Sequence, residues 1–596
     1  MLSYRKLAMR VLGRPLHTGG NDSPRPASQR AAAFILTAIM LTSLTAPAFA
    51  GTWSIENGNI TVKAGETGND VTQNNVTTKN DTNTIITNQN KDIASSNTVT
   101  IETNDKNDKV KVTLDNVNIN VGSDSGSALT SNGDVTLTLK GDNSLTGGNG
   151  GSGISSNGSL TISGGEKDSL TAQGGSGRSG IFSSGGVTIS GGTVNATGGN
   201  SGSDIGDGIH SGSLTMKGGT VNAKGGSGAD GGSGIRTFSS GGVTISGGST
   251  VKATGGDASD KDASAGGSGI LIFGSGSLTV SDSTITATGG NGGSARGSHG
   301  GNGISGKGSL TVSGGTVNAN GGNGSKSESS DRSNGGRGID SGSLSISGGT
   351  VTATAGSSSG SYGRDGITTS SSLTISGGTV TANGGSGSYR GGSGISSSDI
   401  ELSGSLELTA KAGSPNGKAL SQNGSELDPN TFKEKLDPGA NIITKDADGK
   451  VIDQVSSPRP VEPEGPVIPE ESSSSSDSGS ATPSADGGSS TPSAPASPLP
   501  GLTVTDKSGQ HISYTSIRDN NVLSLRVGRF TASFRISPAT LRQLRAEGID
   551  TITFRTVLCS TTLSVDELLA IGGEDTEVVL IHHIRSSTLT VGGKAV

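Results

Sequence analysis

The chain has 596 residues, of which 103 are Gly, 28% are hydrophobic and only 2% are aromatic. So few large side chains argue against ordinary globular cores and against an enzyme pocket dense in aromatic rings over most of the length. A single Cys excludes a disulfide framework and a CxxC metal cluster, and a net charge of −7 disfavours nucleic acid as a partner, because phosphate contacts need a basic face.

Residues 1–50 have the pattern of a secretory signal peptide. Basic residues precede an apolar run over residues 31–44, and Ala48-Phe49-Ala50 then matches the small-x-small rule for cleavage. The apolar run is shorter than the ~20 residues that a membrane span needs. We therefore predict a secreted or cell-surface protein with no transmembrane segment after cleavage. Six of the 44 basic and one of the 51 acidic residues lie in this segment, which leaves 38 basic and 50 acidic residues and a net charge of −12.

An internal repeat dominates the next part of the sequence. A Ser-Gly-Ile motif or a close variant recurs at intervals of 26 to 35 residues, and Ser127-Ala128-Leu129 fits as an earlier copy. A repeat of this length has no room for a core of its own, so its copies must stack on one another. The Ile of each copy stands at position 154, 181, 209, 235, 270, 304, 339, 367 or 395.

Apolar and hydroxyl residues alternate within each repeat, as in Leu160-Thr161-Ile162-Ser163, which is typical of a strand with one buried face. A Gly-Gly pair such as Gly191-Gly192 then allows a corner, because Gly tolerates a positive φ. Gly, Ser and Thr stand where a helical solenoid needs Ala, Leu and Glu. The sequence thus predicts an all-β fold, a parallel β-helix solenoid of about ten repeat coils over residues 122–410. The residues predicted to form one inward column are Leu160, Val187, Leu214, Val243, Leu278, Leu310, Leu344 and Leu373; Ile162, Ile189, Ile245 and Ile375 are predicted buried, and Thr161, Thr188, Thr244 and Thr374 exposed.

The segments around the repeats differ from it in composition. Residues 51–121 have alternating runs without the Ser-Gly-Ile motif, and we interpret them as N-terminal capping coils, with a terminal cap over residues 411–455. Residues 456–500 hold ten of the 18 prolines and predict a disordered linker. Residues 501–596 recover a normal composition and predict a small α+β domain, whose first helix begins at Ser537-Pro538.

Three segments show the repeat most clearly: Asp134 to Leu145, Ser152-Gly153-Ile154 and Ser159 to Gly165. In these segments the chain resembles secreted bacterial right-handed parallel β-helix proteins, and the resemblance covers about residues 100–410. It is nearest to the clostridial calcium-dependent polygalacturonate-binding family, usually labelled a carbohydrate-binding domain. The resemblance implies a β-helix fold, binding of an acidic polysaccharide and a calcium cofactor.

Alignment of the repeats on their Ile residues predicts which outward side chains are neighbours. The position after Ile places Phe182, His210 and Arg236 on consecutive coils, and Asp207 lies beside them, two residues before its own Ile. A ring, an imidazole, a guanidinium and a carboxylate on one strip could bind the ring face and carboxylate of a sugar. The alternative is a solvated edge at which Phe182 covers the rim of a coil. The same alignment places Arg337 next to Asp365, as a surface ion pair.

A candidate calcium site lies in one variable loop. Asp257, Asp260 and Asp262 supply three carboxylates within six residues, and carboxylate oxygens are the ligands that Ca²⁺ prefers. The loop lacks the Gly and the terminal Glu of an EF-hand, and Lys261 opposes cation binding. A solvated acidic loop with no bound metal is therefore the alternative interpretation.

Three functional hypotheses remain at this point. The first is a secreted, non-enzymatic protein that binds extracellular polysaccharide or another cell-surface component, with calcium as a cofactor; its oligomeric state is left open. The second is a structural stalk or adhesin that displays the C-terminal domain. The third, a polysaccharide lyase or hydrolase, needs paired carboxylates on facing strands, whereas the predicted outward strand positions are almost all Thr, Ser or Asn, with Asp282 as an exception.

Overall fold

Parallel strands from successive repeats pair with one another through most of the first part of the chain. In the computed structural model, Leu160 lies opposite Val187 and Val187 lies opposite Leu214, so equivalent residues stack in register. The result is a parallel β-solenoid of about 14 turns, which confirms the predicted fold class. The chain forms two compact units, Met1–Gly465 and Pro466–Val596, and the solenoid lies in the first.

The structure describes residues 50–103, 110–202, 205–238, 241–259, 264–295, 297–325, 333–359, 362–457, 501–506, 512, 514–519, 521–527, 531–556, 560–572, 577–582, 587–591 and 594–595. The predicted signal peptide, except Ala50, and the predicted linker from residue 458 onward lie outside these described residues.

Three ladders of strands run along the solenoid, and each turn passes through them in the order A, B, C. Ladder A contains Ile60–Ala64, Val99–Glu102, Leu129–Ser131, Ile154–Ser156, Ile235–Thr237, Ile270–Ile272, Ile304–Gly306, Ile339–Ser341 and Leu420–Gln422. Ladder B contains Thr52–Ser54, Thr84–Thr87, Val110–Asp115, Val135–Lys140, Leu160–Ser163, Val243–Ile245, Leu278–Val280, Ser309–Val312 and Ser343–Ile346. Ladder C contains Asn118–Asn120, Asp142–Thr146, Ser169–Gln173, Thr193–Thr197, Thr220–Lys224, Thr250–Thr254, Thr284–Thr288, Thr316–Asn320, Thr350–Thr354 and Asn441–Lys445. Two strands, Ile181–Ile189 and Ile209–Met216, belong to both A and B, and two more, Ile367–Asn383 and Ile395–Lys411, belong to all three ladders.

The interior of the solenoid is made of stacked aliphatic columns. The predicted inward column from Leu160 to Leu373 is buried at every coil and pairs in the expected register. The four predicted Ile residues, of which Ile189 is one, are fully buried as well. Of the Thr residues that alternate with them, Thr244 is exposed and the other three are half-buried, because neighbouring coils at about 4.8 Å cover part of each outward side chain.

The corner between ladders B and C uses a left-handed residue in most turns. The second Gly of the pair takes this conformation, for example Gly192 at φ 76° and Gly349 at φ 81°, where a Cβ atom would be strained. In the turn between Leu278–Val280 and Thr284–Thr288, the left-handed residue is Asp282, at φ 48°. Sequence reasoning placed Asp282 outward on a strand; it is a corner residue, since Asp tolerates this conformation better than most side chains.

The turns continue past the ten predicted repeats into both flanking segments. Ile60 lies opposite Val99, and Val99 lies opposite Leu129, so ladder A begins within residues 51–121. These turns stack without the Ser-Gly-Ile motif, because stacking requires only the inward apolar residue. Antiparallel strands cover the two ends: Asn69–Gln73 and Val76–Asp81 extend from the first strand of ladder A, Ser425–Glu426 pairs with its last strand, and Val451–Ser456 pairs with the last strand of ladder C. Two 3₁₀ helices, Ile55–Asn57 and Pro429–Lys435, also lie near the ends.

The second unit has its own apolar core. One sheet contains Leu502–Thr505, Ala532–Ile536, Val578–His582, Ser587–Val591 and Lys594–Ala595, and the other contains Thr515–Asp519, Val522–Arg526, Thr551–Arg555 and Ser560–Ser564. Helix α1 spans Pro538–Ala546 and helix α2 spans Val565–Gly572. The hydroxyl of Ser537 accepts a hydrogen bond from the Thr540 amide, as the predicted helix start requires. Across the described parts of both units, no helix combines the length and apolar character needed to cross a membrane.

Candidate functional site

An unusual group of side chains projects from the outward face of ladder A. The residue after each inward Ile points outward, and it is Thr or Ser on the coils of Thr130, Ser155 and Ser305. On three consecutive coils it is instead Phe182, His210 and Arg236, which lie opposite one another in register. The structure therefore brings together the three side chains that the alignment of repeats predicted to be neighbours.

Asp207 lies beneath this group and is only 1% exposed. Its Oδ1 accepts a hydrogen bond of 2.7 Å from the Ser233 amide on the next coil. Its Oδ2 lies 3.3 Å from His210 Nδ1 and 3.9 Å from an Arg236 guanidinium nitrogen. Asp207 thus links two coils through the backbone and also supplies the negative charge of the cluster.

Two phenyl rings flank the imidazole of His210. The ring centroids of Phe182 and His210 lie 5.6 Å apart, and those of His210 and Phe238 lie 5.3 Å apart, both edge to face. Phe182 and Phe238 are nearly parallel, with an interplanar angle of 15°. Sequence reasoning missed Phe238 because it considered only the first outward position. Strand alternation would have found it, since Phe238 follows Arg236 by two residues.

Burial changes the protonation of the two acid–base groups in the cluster. It raises the pKa of Asp207 to about 6, against the opposing effects of the Arg236 charge and the Ser233 amide. Burial, and secondarily the charge of Arg236, lowers the pKa of His210 to about 4. At pH 7 the cluster therefore holds an Asp207 carboxylate, a neutral His210 and a cationic Arg236. Asp207 Oδ2 and Arg236 Nε are buried without a hydrogen-bond partner. The side chains of the cluster therefore do not satisfy all of its hydrogen-bonding atoms.

A groove continues the aromatic strip on the same face. Phe273 is 58% exposed, and its amide donates to the carbonyl of Thr237, which places it on the coil next to Phe238. The groove has a volume of about 540 Å³, and its lining includes Leu271, Phe273, Lys307 and Asp340. We name the surface formed by Phe182, His210, Arg236, Phe238, Phe273, Lys307 and Asp340 the ladder A strip.

Gly306 and Ile272 also line this groove. Gly306 lies opposite Ile272, and a Cβ atom at Gly306 would lie 3.2 Å from the Ile272 Cβ. Sequence reasoning did not find the groove, because its depth depends on which coil has a small residue next to a large one. The only available signal was the local excess of aromatic residues, since Phe182, Phe238 and Phe273 are three of the nine Phe residues in the chain.

Asp340, at the far end of the strip, forms an ion pair and a hydrogen bond with neighbouring side chains. Its Oδ2 lies 3.1 Å from an Arg337 guanidinium nitrogen and 3.3 Å from the Asn302 side-chain amide. Arg337 therefore forms its ion pair with Asp340, on the same coil. The alignment of repeats had predicted Asp365, on the next coil, as its partner. The Asp365 Oδ1 accepts from the Ser393 amide of the next coil.

Of the three predicted calcium ligands, Asp257 lies within the described residues. Asp257 Oδ1 accepts hydrogen bonds from the Asn291 amide at 2.7 Å and from the Asn291 side chain at 3.2 Å. In the same way, Asn291 and Asn323 accept from the amides of the coils that follow them. Asp260 and Asp262 lie outside the described residues, and the described residues contain no group of three or more His, Cys, Asp or Glu side chains that could hold a metal ion. The calcium site stays a prediction.

Comparisons of the chain with known proteins and structures found no match. No protein-family description, no curated protein and no solved structure matches the chain. The parallel β-solenoid thus stands on the strand pairing described above, and the clostridial polygalacturonate-binding family remains a resemblance in sequence motifs.

Proposed function

We propose that this protein is a non-enzymatic, secreted or cell-surface protein that binds polysaccharide along the ladder A strip. The observation that carries the proposal is the continuous row of aromatic and charged side chains from Phe182 to Asp340, on a solenoid whose other outward positions are mainly Ser, Thr and Asn. These two residues lie five coils apart, or about 24 Å at about 4.8 Å per coil. A row of this length suits an extended chain better than a small compact ligand.

The chemistry of the strip supports a sugar ligand. Aromatic rings provide apolar surface for the C–H faces of a sugar, and the exposed ring of Phe273 beside an open groove is best placed to do so. Arg236 and Lys307 supply hydrogen-bond donors for hydroxyl or carboxylate groups. Arg236 lies in a paired strand, and Phe273 and Lys307 each directly follow the end of one, so the backbone that carries these side chains is ordered before a ligand binds.

The positions of the acidic residues support binding without catalysis. Asp207 lies beneath the ladder A strip and Asp340 belongs to it, and these two carboxylates lie four coils apart, or about 19 Å. Paired catalytic carboxylates of glycosidases lie about 5–9.5 Å apart. Asp207 is also buried, and Asp340 is paired with Arg337, so neither side chain is free to protonate a glycosidic oxygen.

Calcium dependence is the finer part of the proposal and rests on the family resemblance and on charge. From Gly51 onward the chain has 38 basic and 50 acidic residues, a net charge of −12, which repels an acidic polysaccharide at long range. A bridging Ca²⁺ would remove this repulsion. Binding to an acidic glycan should then be lost with a chelator and restored by calcium, whereas binding to neutral glycans should depend less on calcium.

A glycan array of the chain from Gly51 onward, followed by affinity electrophoresis with each bound glycan, tests the proposal. Phe238→Ala combined with Phe273→Ala should abolish or strongly weaken retardation. Tyr389→Ala is the matched control, because Tyr389 is 71% exposed but lies in a turn outside the strip. Equal loss in the control, or unchanged binding in the double variant, would contradict the assignment of the strip.

The stalk or adhesin hypothesis is favoured by one specific observation. The solenoid and the second unit each have a separate apolar core, as expected if a long β-solenoid displays a second module. In that case the second unit and not the strip would attach to a surface. Absence of any glycan binding by the chain, together with attachment to cells that survives the Phe238→Ala, Phe273→Ala changes, would favour this alternative.

A further inference from the structure

Asp81 is a fully buried carboxylate near the first turn of the solenoid. Its Oδ1 accepts hydrogen bonds from the Gly51 amide at 2.9 Å and from the Asn83 amide at 3.2 Å. Its Oδ2 accepts from the indole Nε1 of Trp53 at 3.0 Å. All three donors are neutral groups, so the buried charge of Asp81 has hydrogen bonds but no cation among them, an arrangement that is costly for an ion removed from water.

Gly51 is the residue that follows the predicted cleavage sequence Ala48-Phe49-Ala50. The nitrogen of Gly51 is buried against Asp81, whereas Ala50 is exposed. Hydrolysis of the Ala50–Gly51 peptide bond by a signal peptidase would add one water molecule, give Ala50 a carboxylate and leave Gly51 with an α-amino group. That group has an ordinary pKa of about 7.7–8.0 and is mainly protonated at neutral pH.

We propose that removal of the segment ending at Ala50 creates an ion pair between the α-ammonium group of Gly51 and the carboxylate of Asp81, and that this pair locks the first turn of the solenoid. The proposal depends on the predicted signal cleavage but not on polysaccharide binding. The nitrogen atom is already 2.9 Å from the carboxylate oxygen, so the pair needs no rearrangement beyond the loss of the preceding residue.

The position of Gly51 explains why this pair would matter for the fold. The carbonyl of Gly51 accepts a hydrogen bond from the Ile85 amide, and Thr52–Ser54 then pairs in parallel with Thr84–Thr87. Thr52–Ser54 is the first strand of ladder B, and the end of a solenoid lacks the neighbour that stabilises every inner coil. An ion pair at Gly51 would therefore hold the strand that is otherwise most able to fray.

The described elements packed around Asp81 also carry charged side chains. Lys111 lines the same groove of about 270 Å³ as Asp81, and Asp70, on the strand that pairs with the strand of Asp81, lies 4.0 Å from Lys79. These groups are present whether or not the chain begins at Gly51. Both chains have an α-ammonium group, on Gly51 in one and on Ala50 in the other, so their comparison isolates the effect of placing that charge on the nitrogen that contacts Asp81.

Trp53 can report on this site by its fluorescence, because it is the only Trp in the sequence and its indole donates a hydrogen bond to Asp81. Two full-length mature chains are compared, one beginning at Gly51 and one retaining Ala50. In the Gly51 chain, Trp53 fluorescence should show a transition above pH 8 as the α-ammonium group loses its proton; the Ala50 chain should lack it. At pH 7, exchange of the Ile85 amide should be at least about tenfold slower in the Gly51 chain, as expected for a pKa raised by one unit or more.

The direction of the pH effect follows from the pair. An α-amino group whose pKa is raised in the folded state stabilises the fold below its ordinary pKa, and this stabilisation is lost as pH rises through the raised value. Asp81→Asn keeps an acceptor for the Gly51 nitrogen and should remove both the transition and the difference in exchange. If this variant does not fold, the comparison of the Gly51 and Ala50 chains still decides.

Mass spectrometry of the secreted protein completes the test. A mature chain that begins at Gly51, with both differences present, supports the proposal. A different mature N-terminus, or identical titration and exchange in the Gly51 and Ala50 chains, overturns it.

Discussion

The Asp207–His210 pair leads to a pH-dependent prediction about the stability of the coils around it. The pKa of Asp207 is raised from 3.8 to about 6, so its ionised form is disfavoured in the fold. Asp207 therefore contributes stability below pH 3.8, and that contribution is lost as pH rises to about 6. The pKa of His210 is lowered from 6.5 to about 4. Its contribution is present above pH 6.5 and is lost as pH falls to about 4.

The two contributions are similar in size and opposite in sign. Each pKa unit corresponds to about 1.4 kcal/mol, so each group changes the free energy of local opening by up to about 3 kcal/mol across its range. For Asp207, at 1% exposure, this value applies nearly in full; the His210 side chain is 25% exposed, so solvent reduces its share. In the parent protein the two effects nearly cancel, and local stability should change little between pH 4 and 6.5.

Asp207→Asn removes one of the two effects while keeping an acceptor for the Ser233 amide. The variant should become more stable as pH rises from 4 to 6.5, by up to about 3 kcal/mol, because only the His210 contribution remains. His210→Asn should show the opposite slope. Native-state hydrogen exchange at the Ile209 and Ile235 amides, corrected for intrinsic rates, measures the free energy of opening of these coils. Equal slopes in the parent and in both variants would refute the electrostatic description of the cluster.

Further predictions concern the stack, the loop edge, the ligand and the second unit. Ile189→Asp should destabilise its coils by at least about 3 kcal/mol, because an unpaired charge enters the interior, whereas Thr244→Asp, at an exposed position, should change thermal melting little; equal melts for both would contradict the register. Asp257→Ala should cost about 1 kcal/mol through loss of the bond from the Asn291 amide, and calcium-dependent binding that survives Asp257→Asn would remove Asp257 from the calcium site. Binding of an anionic glycan should strengthen as pH falls from 7 to 5, because protonation of Asp207 leaves Arg236 uncompensated; a pH-independent affinity would count against the strip. Limited proteolysis should cut within residues 456–500 and leave two protected pieces, and scattered cleavage in residues 501–596 would contradict an independent domain.

The sequence determined the coil and its stacking. A strand such as Leu160-Thr161-Ile162-Ser163 has two faces, and its alternation places the apolar side chains on one of them. A repeat too short for a core of its own can bury that apolar face only against its copies. Register then follows, since a shift by one residue would expose Ile162 and bury Thr161. The same spacing also predicts Phe182, His210 and Arg236 as neighbours on one strip.

The tertiary structure decided the features that depend on contacts between neighbouring coils or on the conformation of a single turn. The exposure of Phe273 and the groove over Gly306 depend on the side chains of neighbouring coils, which the spacing of a repeat does not encode. The left-handed corner at Asp282 is likewise a property of one turn and not of the pattern. Asp81 shows the same limit most clearly. Its hydrogen bonds to Gly51 and Trp53 join residues about 30 positions apart, because Asp81 ends the second strand of an antiparallel hairpin that folds back onto the first turn, and only that folding brings a carboxylate to the nitrogen of Gly51.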